Sequence, residues 1–155
     1  MQFPIALALY EPDIPQNAGT LMRFGACMGF PVHLIEPAGF PTSDKSFLRA
    51  GMDYLEAVHL IRHISFARFD ASRRENGNRL ILATTKAAVP YHEITYRPGD
   101  IVMMGRESAG VPPAVHEAAD VRITIPLKPP MRSLNVAVAA AMIMGEALRQ
   151  TGALS

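Results

Sequence analysis

The chain reads as an α/β domain whose mostly parallel sheet is covered by helices on both faces. Two observations predict this. Short, nearly unbroken apolar runs bounded by turn residues alternate with stretches of helical character, which is the pattern of strands joined by crossover helices. The first run, Phe3–Tyr10, lacks the polar alternation of a half-solvated strand, so it is buried on both faces. No internal repeat, low-complexity segment or linker interrupts the 155 residues, and residues 1–155 read as one domain with one sizeable core.

After the first strand and the turn Glu11-Pro-Asp-Ile-Pro15, Asn17 is placed to cap a helix that runs to about Met28 and ends at Gly29. A strand at Val32–Glu36 leads into a loop rich in proline and glycine. Ser43 or Asp44 caps a short helix through Phe47 to Ala50. Val58–Ile64 reads as a strand and Ser65–Glu75 as a helix. Arg79–Thr84 and Ile101–Met104 are strands rich in Ile, Leu, Val and Met. Pro112–Ala119 is a helix with proline in its first turn, and Val121–Ile125 is a strand. The last helix spans Ser133 to about Gln150. One of its stripes is Leu134, Val138, Met142, Gly145 and Leu148, and another is Val136, Ala140, Ile143 and Ala147. A helix apolar on more than one face needs more than one partner. The sheet covers one face, so the other is a candidate homodimer interface.

Composition narrows the class. The apolar fraction is 49% and the charged fraction 19%, near globular averages. No apolar run reaches the roughly 18 residues that span a bilayer. The start of the chain has neither a basic region nor a small-residue cleavage site. One cysteine, Cys27, excludes an internal disulfide and suits a reducing compartment, so a cytoplasmic domain is expected. Cys27 reads as packing within its helix. A net charge of +1 carries no overall nucleic-acid signature. The local basic groups, Arg68, Arg73 and Arg74 and then Lys128 and Arg132, read as solvated surface. His59 and His63 have i,i+4 spacing but no third ligand, so they read as solvated side chains and no metal site is expected. No G-x-G-x-x-G follows the first strand, and no phosphate-loop motif occurs. Gly105-Arg-Glu-Ser-Ala-Gly110 is out of register for a nucleophile elbow.

Three segments fall at strand-to-helix junctions, where open parallel sheets bind ligands. Pro15–Arg23 sets polar Asn17 and Arg23 in an otherwise apolar helix. Gly105–Pro112 has accessible backbone at its glycines and Glu107 as its one carboxylate. Ile125–Asn135 is a proline-stiffened loop entering the last helix. Singly, each has a structural reading: Asn17 and Ser133 as helix caps, Glu107 as a loop acid, Arg23 as the ion-pair partner of Glu11 or Asp13.

Together and in this order, N-x5-R, G-x-E-x-x-G and S-L-N resemble the three motifs of the SPOUT, or α/β-knot, RNA methyltransferases. Tyr10-Glu-Pro-Asp-Ile-Pro-Gln-Asn17 and Arg49-Ala-Gly-Met-Asp-Tyr54 resemble runs of that superfamily's minimal tRNA wobble-ribose methyltransferases, the TrmL group. Arg106, Ala109 and Leu134 depart from the proline, arginine and methionine usual there. The resemblance covers essentially the whole chain. It implies a C-terminal deep trefoil knot, which physics alone does not predict because knots are rare. It also implies S-adenosylmethionine, without a metal, held around Leu82, Ala83, Thr84, Gly105, Glu107, Gly110, Ile125, Leu127, Ser133 and Leu134. The substrate it implies is tRNA, methylated on the ribose 2′-oxygen of cytidine or uridine 34, and the active residues are Arg23, Asn17, Glu107, Ser133 and Asn135. Two alternatives stand beside this reading. One is the same chemistry on another tRNA position or on ribosomal RNA, and the other is a non-catalytic α/β module that binds a nucleotide-like ligand.

Overall fold

The computed structural model describes residues 3–50, 52 and 54–154; Gly51 and Asp53 of the Arg49–Tyr54 run lie outside them. The elements, in chain order, are β1 (Ile5–Tyr10), α1 (Pro15–Met28), β2 (Val32–Ile35), α2 (Asp44–Arg49), β3 (Leu60–His63), α3 (Phe66–Glu75), β4 (Leu80–Ala83), β5 (Asp100–Met104), α4 (Pro113–Ala118), β6 (Val121–Ile123) and α5 (Val136–Gln150). The strands form one sheet in the order β3-β2-β1-β5-β4-β6, and each pairing is parallel.

Every residue of β1 is buried, as its unbroken apolar run requires. Alternation then assigns its side chains to two cores. Ile5, Leu7 and Leu9 join Leu21 and Met22 of α1 and Ile143, Met144 and Leu148 of α5. Ala6, Ala8 and Tyr10 point the other way, to Phe69 of α3 and Val115 of α4. The expected helices on both faces are present. The chain steps outward from β1 to β2 and β3 and then returns to the far side of β1, so the carboxyl ends of β1 and β5 open onto a crevice.

Several boundaries and roles differ from the sequence reading. Helix α1 starts at Pro15, with Ile14 as its cap, because proline at the first helical position has a preset φ and no N–H to satisfy. Asn17 is therefore not the cap. Gly29 ends α1 as expected, at φ 78°, a left-handed conformation that glycine adopts without strain. Helix α5 starts at Val136 rather than Ser133. Its cap is Asn135, whose Oδ1 accepts from the N–H groups of Ala137 (2.8 Å) and Val138 (3.2 Å). Strand β6 ends at Ile123, since Thr124 turns to pair with Pro90. Cys27 is exposed, because the buried side of α1 is the stripe Ala18, Leu21, Met22 and Gly25. Arg73 is not solvated surface but 4% exposed. It pairs with Asp70 (2.7 Å) and Asp120 (2.6 Å) and donates to Ala118 O, which ties α3 to the α4–β6 turn. Of the two apolar stripes on α5, Ala140, Ile143 and Ala147 face the sheet core together with Met144 and Leu148. Leu134, just before the helix, and Val138 and Met142 on it are exposed.

His63 is also not a solvated side chain. The parallel register of β2 and β3 sets His33 against Ile61 and Ile35 against His63, two residues apart along the same face. His33 Nδ1 and His63 Nε2 lie 2.9 Å apart, and Phe69 presses edge-on against both rings. Burial holds His33 down to about 4, with neighbouring His63 and His59 adding to the effect, and burial lowers His63 as well. A folded-state value below the unfolded one means the stability it confers is complete above about pH 6.5 and is lost as pH falls toward the folded value. Urea unfolding of the wild type should therefore show a loss of about 2 kcal/mol from His33 between pH 7 and pH 5. His33→Gln should remove that slope, and an unchanged slope would contradict the assignment.

Candidate active site

A cleft of about 610 Å³ opens at the carboxyl ends of β4, β5 and β6 and beside the start of α5. Its walls come from Ala83–Lys86, Met104–Val111, Thr124, Ile125, Leu127 and Ser133–Val136, with Ile14 and Asn17 of the β1–α1 region and His116 and Glu117 of α4. Arg106 and Gly110 exchange N–H···O bonds of 3.0 and 2.9 Å, which close the loop after β5 onto itself. A Cβ at Gly105 would stand 3.0 Å from the Cα of Gly110, so any side chain there would push the tight loop apart by a few tenths of an ångström. Gly110 itself has φ 62°.

The polar residues of the three segments meet at this cleft. Asn17 Nδ2 donates to Glu107 Oε1 (3.5 Å), and Asn135 Nδ2 donates to Asn17 Oδ1 (3.1 Å). Asn135 Oδ1 caps α5, so one amide joins α1 to the start of the last helix. Asp13 N–H donates to Glu107 Oε2 (3.1 Å), and Glu107 N–H donates back to Asp13 Oδ1 (3.2 Å). The Ser108 hydroxyl donates to Asp13 Oδ2. Burial, then the hydrogen bond with Asp13, pushes the Glu107 carboxyl above its ordinary value. Hydrogen bonding with Glu107, then with the Ser108 hydroxyl, holds Asp13 below the usual carboxylate range.

Ala83, Thr84, Gly105, Glu107, Gly110, Ile125, Leu127, Ser133 and Leu134 all line the cleft, as do Asn17 and Asn135. Leu82 does not: it is fully buried and faces the α3 and α4 core, one pleat out of phase with Ala83. Arg23 also lies outside the cleft. Six residues beyond Asn17 on α1, it sits about 9 Å further along the axis and is exposed, its guanidinium 5.8 Å from the Tyr54 ring. Among the described residues Arg23 makes no ion pair with Glu11 or Asp13. Sequence reasoning missed Asp13, which it weighed only as a partner for Arg23, and Arg106, Lys86 and Glu117 on the cleft wall. Arg106 lies over the Tyr10 ring, 5.5 Å from its centroid, and its Nε donates to Gly110 O. Burial and the neighbouring Glu11 raise the Tyr10 phenol to about 12. Glu11 has φ 42°, a left-handed conformation costly for a side-chain-bearing residue, at the strand end that feeds the site. Among the described residues no cluster of three or more His, Cys, Asp or Glu is placed to hold a metal ion.

The parallel sheet, with a cleft at its strand ends bordered by three polar segments far apart in sequence, matches the fold of the SPOUT methyltransferases. Residues 4–145 match the SpoU rRNA Methylase family, and the chain belongs to it. It is 65% identical over 149 residues, 96% of this chain and 93% of the other, to a tRNA (cytidine(34)-2′-O)-methyltransferase of Beijerinckia indica. A solved structure described as "Structural insights into the 2-OH methylation of C/U34 on tRNA" superposes with a TM-score of 0.88 at 39% identity, covering 97% of each chain. An AdoMet-bound rRNA methyltransferase from Sinorhizobium meliloti superposes with a TM-score of 0.83 at 27% identity, over 96% of this chain and 57% of that one.

Proposed function

We propose that this protein transfers a methyl group from S-adenosylmethionine to the ribose 2′-hydroxyl of nucleotide 34, cytidine or uridine, in tRNA. It does so as a cytoplasmic homodimer whose C-terminal segment forms the trefoil knot of its superfamily. The observation that carries this reading is the hydrogen-bonded line Glu107–Asn17–Asn135, which joins all three segments at the wall of one cleft. The names of the relatives support the position on tRNA. No helix among the described residues is long and apolar enough to cross a membrane.

The residues present fit the cofactor. The cleft volume lies in the range of small-molecule sites. The apolar wall of Ile125, Leu127, Leu134 and Val136 suits an adenine ring, and Glu107, Ser133 and Asn135 give the same cleft polar groups for the cofactor's amino, carboxylate and ribose groups. When bound, S-adenosylmethionine supplies a methyl on a sulfonium, which is already a good leaving group. The protein's work is then to exclude water, to align the hydroxyl and to ease the loss of its proton. Glu107 and Ser133 hold the cofactor side of the cleft. Asn17 and Asn135, fixed by each other, set the ribose side. The guanidinium of Arg23 is a donor-only fork without an acceptor site, so it grips RNA phosphate and polarises the nucleophile rather than serving as base. Calorimetric titration with S-adenosylhomocysteine should give a micromolar dissociation constant, and heat at the buffer baseline with folded, concentrated protein would contradict the proposal.

A further inference from the structure

We propose that Asp13 is a positioning residue of the methyl-transfer site, holding the Glu107 loop in register with the start of α1 although its own side chain lies outside the cleft. This rests on the function proposed above. Residues 105–110 have no regular secondary structure, and their Arg106–Gly110 bonds close the loop only upon itself. Among the described residues, the hydrogen bonds that tie this loop to the rest of the molecule run to two places. One is Asn17, through a long 3.5 Å contact. The other is Asp13, through three bonds: its N–H to Glu107 Oε2, and its two carboxylate oxygens accepting from Glu107 N–H and the Ser108 hydroxyl. Each oxygen of Asp13 therefore has its own donor, 94 and 95 residues away in sequence.

The Asp13 turn is itself braced from behind. Gly39 N–H donates to Pro12 O at 2.9 Å, and a Cβ on Gly39 would stand 3.0 Å from the Cα of Asp13. The backbone after β2 thus lies directly against residue 13 and leaves it no room to retreat. A rigid turn carrying two acceptors toward an otherwise self-closed loop is a device for fixing that loop, and Glu107 and Gly105 on the loop form the cleft wall. Two adjacent carboxyls are an expensive way to gain one tie, because like charges disfavour joint ionisation. Burial raises the Glu107 carboxyl while hydrogen bonding lowers Asp13, so Glu107 is the one to carry any shared proton.

The test reads cofactor binding and turnover at a residue that touches neither reactant. Asp13→Ala should weaken S-adenosylhomocysteine binding about tenfold in calorimetry and lower kcat by a similar factor, well below the melting temperature, because a loop displaced by an ångström misplaces the reacting atoms. Asp13→Asn keeps one carbonyl acceptor for Glu107 N–H and should stay within about threefold of wild type in both readouts. Ser108→Ala, which is exposed and removes one bond, should cost about threefold, and adding it to Asp13→Ala should cost nothing further. A folded Asp13→Ala variant with wild-type binding and turnover would overturn the inference. Should Asp13→Ala fail to fold, Ser108→Ala with unchanged affinity and turnover would overturn it in the same way. Equal damage from Asn and Ala would also overturn it, since charge rather than hydrogen-bond acceptance would then matter. A wild-type protein that neither binds the cofactor product nor methylates tRNA would instead remove the proposed function on which this rests.

Discussion

Arg23→Ala should lower kcat for tRNA methylation by about 10²-fold or more, roughly 3 kcal/mol of transition-state stabilisation, while leaving cofactor-product affinity within about threefold. The split follows from where the side chain stands. Arg23 is exposed on α1 and absent from the cleft wall, so its loss leaves the cofactor's contacts in place. It lies on the same helix as Asn17, and Tyr54, whose hydroxyl donates to Gly19 O at 2.5 Å, gives its guanidinium an aromatic face to rest against. On the proposed function, a cation so placed on the helix that carries Asn17 meets the RNA rather than the cofactor. An interaction that strengthens as charge develops on the nucleophile acts on kcat more than on binding. Arg23→Lys is the sharper variant, because it keeps the charge but loses the planar fork that grips phosphate at two points. Near-wild-type turnover in either folded variant would remove Arg23 from the reaction. A fall in melting temperature with turnover retained would make it a structural residue.

The second large effect concerns assembly. Val138→Asp should convert a dimer of about twice 16.9 kDa into a folded monomer by light scattering. Val138 is 50% exposed, and Leu134 and Met142 extend its stripe by one turn each way, an apolar row that the chain's own sheet does not cover. An unpaired charge set into such a row on association costs several kcal/mol. Ile143, where the sequence alone places the interface so that a charge there would give monomer or aggregate, is instead fully buried within the chain, and Ile143→Asp should unfold the monomer. Wild-type protein that is monomeric at micromolar concentration would refute the dimer.

These residues show where local sequence suffices and where it does not. The unbroken run of β1 declares burial on two faces, and the structure shows it buried throughout. Gly29 declares the end of α1, and the three polar segments declare themselves by lying at strand-to-helix junctions. What stayed hidden depends on pairing across distance. Leu82 and Ala83 look equivalent in sequence, but the pleat sends one to a core and the other to the cleft. Arg73 becomes an interior residue only because Asp120, 47 residues on, is brought beside it. His59 lies just before β3, and four residues of extended chain stand too far apart to touch, so the neighbour of His63 is His33 on β2. Asp13 is one more turn acid until a loop 94 residues away folds onto it. Likewise, two apolar stripes on α5 do not say which of them the sheet takes.

The most direct test of the central claim is to map ribose methylation in tRNA. Substrate tRNA should come from a strain lacking this protein and be incubated with the purified wild type and S-adenosylmethionine. The account predicts a new 2′-O-methyl group at nucleotide 34, on cytidine or uridine, and none with Arg23→Ala. Methylation at a different nucleotide, or of ribosomal RNA alone, or no transfer at all by a folded protein that binds the cofactor, would contradict it.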